Sequence, residues 1–181
     1  MTRRHDPERR DRIIDAALDC IADEGVSGTS HRKVAARSDV PLGSMTYHFA
    51  NMDELLVEAF TRFASTIVTE FESRMSIAAD RAAALDEIVD HVHDDLQRSK
   101  RELVLTCELY TLAARRSEFN SITARWMRAS RTALERHFDE ETARALDAYI
   151  EGAALHAALD PEPPDRDKTR RACRALTAAG R

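Results

Sequence analysis

The chain has 181 residues, 43% of them apolar and 33% charged, with a net charge of −5. No apolar run approaches the roughly 18 residues of a membrane span, and the N-terminal "MTRRHDPERR" lacks the apolar stretch of a secretory signal. Cys20, Cys107 and Cys173 are widely spaced and odd in number, which argues against a disulfide framework or clustered zinc site and for a reducing, cytoplasmic setting.

Five glycines and five prolines punctuate a sequence rich in Ala, Leu, Arg and Glu, so the expected fold is all-α with about nine helices. Pro7 suits a first helical turn. Ile13, Ile14, Ala17, Leu18 and Ile21 follow at helical spacing, and Gly25 ends the segment. Thr29 and Ser30 are cap candidates for a second helix over residues 31–37, with Val34 and Ala35 facing inward. Asp39 and Val40 break it, Pro41 discourages helix in the residue before it, and a third short helix covers 42–48. A long fourth helix starts at Asn51 or Asp53, with Leu55, Leu56, Ala59, Phe60, Phe63, Ile67 and Phe71 on one side. Leu85, Ile88, Val89, Val92 and Leu96 mark a fifth. Leu103 to Ala114 is apolar nearly all round, as a central buried sixth helix would be. Phe119, Ile122, Trp126, Ser130, Ala133 and His137 continue the period on a seventh. Residues 140–159 form an eighth, "DPEPPD" breaks it, and 165–179 form a ninth.

The first three helices, with a short break before the third, fit a helix-turn-helix unit. Ala35 lets two helices cross closely, Val40 plugs the gap between them, and Asp39 stands where the turn needs a left-handed backbone, which Asp tolerates. The third helix would present Ser44, Thr46, Tyr47 and His48, side chains that donate to phosphates and read base edges from a major groove. The first 49 residues balance eight basic against eight acidic side chains, but the bases cluster around Arg9, Arg10 and Arg12 and again at Arg32, Lys33 and Arg37. A local basic face on an acidic protein is therefore open to this sequence.

From about Arg10 to Leu56 the sequence resembles the TetR-type bacterial transcription regulators. The resemblance rests on "IIDAALDCIADEGVSGTS", "HRKVAARSDV", "PLGSMTYHF" and "ANMDELLVEAF" taken together. It implies a helix-turn-helix DNA-binding domain over residues 1–50 and a larger ligand-binding and dimerisation domain over 51–181. The implied protein is no enzyme and needs no cofactor or membrane. It is a homodimeric repressor of a double-stranded, pseudo-palindromic operator, released by a small-molecule inducer. By position, Arg32 and Lys33 are the implied contacts from the second helix, with Arg32 reading a base. Leu42, Gly43 and Ser44 open the recognition helix, Thr46 lies near bases or phosphates, and Tyr47 and His48 hold phosphates. Three positions depart from the family pattern: Asp39 replaces a turn glycine, Thr46 stands where a tyrosine is usual with Tyr47 one residue on, and Met52 replaces a lysine at the start of the fourth helix.

Beyond the head, a cavity among the later helices would be lined by Phe63, Ile67, Val92, Tyr110, Trp126, Ser130 and His137. Such a lining suits an apolar or aromatic guest with one anionic or carbonyl group. His156 is a further pocket or core residue. Glu108 reads as buried, paired with Arg115, Arg116 or an arginine of the seventh helix, or else reserved for a ligand. Cys107 reads as a small buried hydrophobe. Leu146, Ile150, Ala153, Ala154 and Ala157 form an alanine-rich face that allows close helix approach. It serves either internal packing or the dimer interface the resemblance implies. In "DHVHDD", His91 and Asp95 share a helical face, but a metal would need a third ligand from elsewhere, so no metal site is expected. The alternative function is a helical enzyme using the His and Asp residues of the fifth helix with Glu108.

Overall fold

The computed structural model describes residues 8–95, 100–162 and 164–178; the side chains of Asp94, Asp95 and Ala158 are not described. Pro7 and Leu96 lie outside this set. Its regular structure is helical: α1 (Arg9–Gly28), α2 (His31–Arg37), α3 (Leu42–His48), α4 (Met52–Ile77), α5 (Arg81–Asp90) running into a π-helical turn (His91–Asp95), α6 (Lys100–Ala113), α7 (Ser117–Leu134), α8 (Glu140–Leu159) and α9 (Arg166–Ala178). Two compact units emerge. One comprises the described residues up to Phe63 with Val104–Ile122, and the other comprises the described residues of Ala64–Leu103 and those from Thr123 onward.

In the first unit, α1 buries Ile13, Ile14, Ala17, Leu18 and Ile21 on the face their spacing predicts. At Gly25 the backbone leaves helical geometry (φ 72°, ψ 172°), a region open essentially to glycine, and one more turn follows to Gly28. The Thr29 hydroxyl donates to the Gly25 carbonyl at 2.9 Å. Ser30 then caps α2 by accepting from the Lys33 N–H at 3.4 Å. The end of α2 closes as a Schellman motif: Asp39 has φ 52°, and the Val40 N–H donates to the Ala35 carbonyl at 3.0 Å. Val40 is thereby folded under α2 and buried. At the start of α4, Asn51 Oδ1 accepts the Glu54 N–H at 2.9 Å, while the Glu54 carboxylate reaches back to the Ala50 N–H at 2.6 Å, a variant of the capping box. Phe60 meets Phe119 edge-to-face, with ring centroids 6.0 Å apart.

The α6 expectation needs correction. Of its apolar residues only Leu105 and Leu109 are buried, Cys107 is exposed, and Glu108 is half-buried. A helix offers one stripe to a neighbour, and hydropathy all round does not say which other sides receive one.

The second unit has its own core of Phe71, Met75, Ile88, Val92, Leu134, Phe138, Leu146, Ile150 and Cys173. Polar links fasten α9 along α5: Arg166 pairs with Asp90, Arg170 meets Asp86 at 3.3 Å, and Arg81 donates to the Thr177 carbonyl. The π-helical turn departs from the α-helical spacing assumed for this run. His91 is buried beside the Phe71 ring at 5.1 Å, whereas His93 Nε2 lies 2.9 Å from the Thr169 hydroxyl on α9. His137, expected on α7, lies past its end at Leu134. Its Nε2–H donates to the Met75 carbonyl at 2.8 Å.

Candidate functional site

The α2–turn–α3 segment buries one side and displays the other. Val34, Ala35, Val40, Met45 and Phe49 are in the core. The opposite face of α3 carries Leu42, 52% exposed, and Tyr47, 84% exposed. Gly43 and Thr46 are also exposed, and Ser44 and His48 are half-buried. A Cβ added to Gly43 would meet nothing within 4 Å, so the backbone here is open to close approach by another molecule. The Tyr47 ring stands edge-on to His48 at 5.1 Å. Burial, reinforced by the positive charges of Arg9 and Arg10, holds His48 below the usual imidazole value, so it is neutral at pH 7. Arg10 itself lies over the Phe49 ring at 5.0 Å and pairs with Glu58. The eight predicted DNA-contact residues thus fall on one short segment, with the aromatic pair at its C-terminal end.

The acids of α1 alter the expected basic face. Lys33 is engaged by the Glu24 carboxylate and donates to the Gly28 carbonyl at 2.8 Å. Arg37 pairs with Asp23 at 2.6 Å. Arg62 on α4 is held by Asp11, and by Asp15 at 2.9 Å. On α2 only Arg32 is exposed with no acidic partner among the described residues. Composition showed acids and bases alternating along the chain; it could not show that they meet across α1 and α2.

Of the predicted ligand-contact residues, Phe63 and Tyr110 belong to the first unit, the former buried and the latter half-buried. Ile67, Val92, Trp126, Ser130 and His137 belong to the second. Val92 and Trp126 are buried there, and Ile67, Ser130 and His137 are half-buried. Of the two readings of Glu108, the pairing with an arginine is not found among the described residues. Arg116 is taken by Asp53 at 2.9 Å and by Glu118 at 2.5 Å. The half-buried Glu108 carboxylate has no ion-pair or hydrogen-bond partner among the described residues. Its Oε1 lies 2.6 Å from where a Cβ on Gly25 would stand.

The alanine-rich face of α8 divides. Leu146 and Ile150 are buried in the core of their own unit and have almost no area left to offer another chain, which corrects their assignment to an interface. Ala153, Ala154 and Ala157 remain half-buried. Ala153 and Ala157, with Tyr149, Gly152, His156 and Thr169, line an open groove of about 590 Å³ between α8 and α9. Sequence reasoning missed Tyr149, Gly152 and Thr169. The small residues Ala148, Gly152 and Ala153 were the available signal. Among the described residues no three His, Cys, Asp or Glu side chains are grouped as metal ligands, and no helix is long and apolar enough to cross a membrane.

Residues 13–59 match the model of the bacterial regulatory proteins, tetR family, and residues 78–179 match a tetracyclin repressor-like C-terminal domain. The chain is similar to a candidate transcriptional regulator of Streptomyces coelicolor A3(2), with 52% identity over 94% of this chain and 99% of that one and a TM-score of 0.89. It is also similar to the multidrug binding protein EbrR complexed with ethidium, with 36% identity over 95% and 99% of the two chains and a TM-score of 0.81. Other structures of EbrR hold proflavin and malachite green. Among curated relatives, the HTH-type transcriptional regulator BetI 1 of Chromohalobacter salexigens is 25% identical over 91% of this chain and 86% of its own.

Proposed function

The chain belongs to the tetR family of bacterial regulatory proteins, and on that premise we propose that it is a ligand-responsive repressor. It binds a pseudo-palindromic operator as a homodimer and leaves it when a small molecule binds. The supporting observation is the outer face of α3, where Leu42, Gly43, Thr46 and Tyr47 are open to solvent above a buried Met45 and Phe49. A helix anchored on one side and polar on the other is what a major groove receives. Arg32 reads a base edge, Ser44 and Thr46 lie at bases or phosphates, and Tyr47 and His48 hold the backbone. Residues 1–50 carry this task, and 51–181 carry ligand binding and dimerisation. Phe63, Ile67, Val92, Tyr110, Trp126, Ser130 and His137 are the proposed ligand contacts. Ala153, Ala154 and Ala157 are the proposed dimer contacts, now without Leu146 and Ile150.

The ligand we propose is aromatic and cationic. Ethidium, proflavin and malachite green, found in structures of EbrR, share that chemistry. These neighbours favour a cation over the anionic or carbonyl group expected from sequence. Malachite green is the dye of choice for the test, because flat intercalators also bind the DNA itself. Titration should change Trp126 emission and release a selected operator fragment over the same dye concentrations, since the two equilibria are linked. Operator that stays bound once Trp126 has reached its end point would defeat the release reading.

A further inference from the structure

We propose that Asp23 and Glu24 are specificity-determining residues that hold down the affinity of the head for DNA of unrelated sequence. Lys33 and Arg37 are two of the three cations on α2, and both are met from α1: Lys33 by the Glu24 carboxylate and the Gly28 carbonyl at 2.8 Å, Arg37 by Asp23 at 2.6 Å. The third, Arg32, is exposed with no acidic partner among the described residues. The Glu24 contact is built into the backbone. A Cβ at Gly28 would lie 2.8 Å from the Cβ of Glu24 and 3.5 Å from its Oε2, so glycine leaves the room in which Glu24 folds toward Lys33.

Binding to unrelated DNA comes almost wholly from cations that neutralise phosphates and release counterions. A cation that must first leave a carboxylate adds little to that sum. On unrelated DNA, α2 therefore offers one uncommitted charge. On the operator, base contacts from Arg32 and α3 hold the head in place, and Lys33 and Arg37 can then exchange carboxylate for phosphate. The two acids lower unrelated affinity more than operator affinity, which is what specificity requires. The inference rests on the operator-binding reading above.

The test measures the affinity of the full-length protein for the genomic fragment it selects and for a scrambled duplex of equal length, across a salt series. Glu24→Gln and Asp23→Asn should each raise affinity for the scrambled duplex by about eightfold per head at 0.1 M salt, and steepen the plot of log affinity against log salt by about 0.9 per head. Operator affinity should rise less. Gly28→Ala keeps every charge but crowds Glu24, and should move the scrambled duplex in the same direction. Lys33→Gln in the Glu24→Gln background should return the slope to its starting value. Glu141→Gln, an exposed acid on α8, makes the same change in net charge and should have no effect. Variants whose binding to the scrambled duplex and whose slope match the wild type would overturn the proposal. So would a Glu141→Gln effect as large as that of Glu24→Gln, which would make net charge the cause. A wild-type protein that did not distinguish the two duplexes would overturn the operator reading and this proposal together; variants unchanged beside a discriminating wild type would overturn this one alone.

Discussion

Two backbone positions show what single residues reveal. Asp39 was legible as the left-handed point of the turn because its side chain tolerates that conformation and the following Val40 is apolar; the structure gives φ 52° there. Asp39→Gly should leave stability unchanged or raise it by up to about 1 kcal/mol, since glycine is the favoured residue at this cap. Gly25 was legible as a helix end, but its partner was not, because Glu108 is remote in sequence and its carboxylate fills the place of the missing Cβ. Gly25→Ala should cost about 1–3 kcal/mol in denaturant unfolding, from backbone strain and the displacement of Glu108 together. His48 adds a pH dependence. Its folded value lies below the ordinary 6.5, so the unfolded chain takes up a proton first and the head loses a little stability as pH falls through that point. A phosphate beside the ring favours the charged form. Operator affinity should therefore rise between pH 7.5 and pH 6, and His48→Gln should flatten the rise. A profile unchanged by His48→Gln would remove the ring from the phosphate contact.

At the scale of elements, periodicity located the helices well where one face is buried and poorly where the chain departs from α-helical geometry. The bounds of α2 and α3 follow from caps and a proline. The π-helical turn after α5 has no such signature, and the burial of His91 beside Phe71 was not legible there. Nor could composition say that α6 is covered on one stripe only. A pairing between α7 and α8 was also invisible. Asp147, 4% exposed, accepts from Arg131 Nε at 2.8 Å. Removing the guanidinium leaves a buried carboxylate unmatched, so Arg131→Met should destabilise the protein by about 1–3 kcal/mol in thermal or denaturant unfolding. Adding Asp147→Leu to that variant should recover part of the loss, because an apolar pair can replace a buried ionic one.

For the whole molecule, the family was legible because the head is a local motif, contiguous in sequence. Ligand and dimer surfaces draw on distant segments, and their side chains divide between core and surface in ways that spacing does not resolve, as Leu146 and Ala157 show. Ala157→Arg should break the dimer. Its added volume and charge would oppose association at a closely packed helix face, and sedimentation at low micromolar concentration would then report a monomer. A persisting dimer would place the interface elsewhere. The central claim is sequence-specific binding of DNA by the α2–α3 head, and Arg32→Ala should weaken that binding by roughly 1–3 kcal/mol and relax the preference at one position in each half-site. The measurement that tests the claim most directly is selection of genomic fragments by the purified full-length protein, in the presence of excess unrelated DNA, followed by sequencing. A few fragments sharing a pseudo-palindrome should be strongly enriched by the wild type, with the Arg32→Ala variant less selective at one position per half-site. Fragments recovered in proportion to their abundance, with no shared sequence, would contradict it.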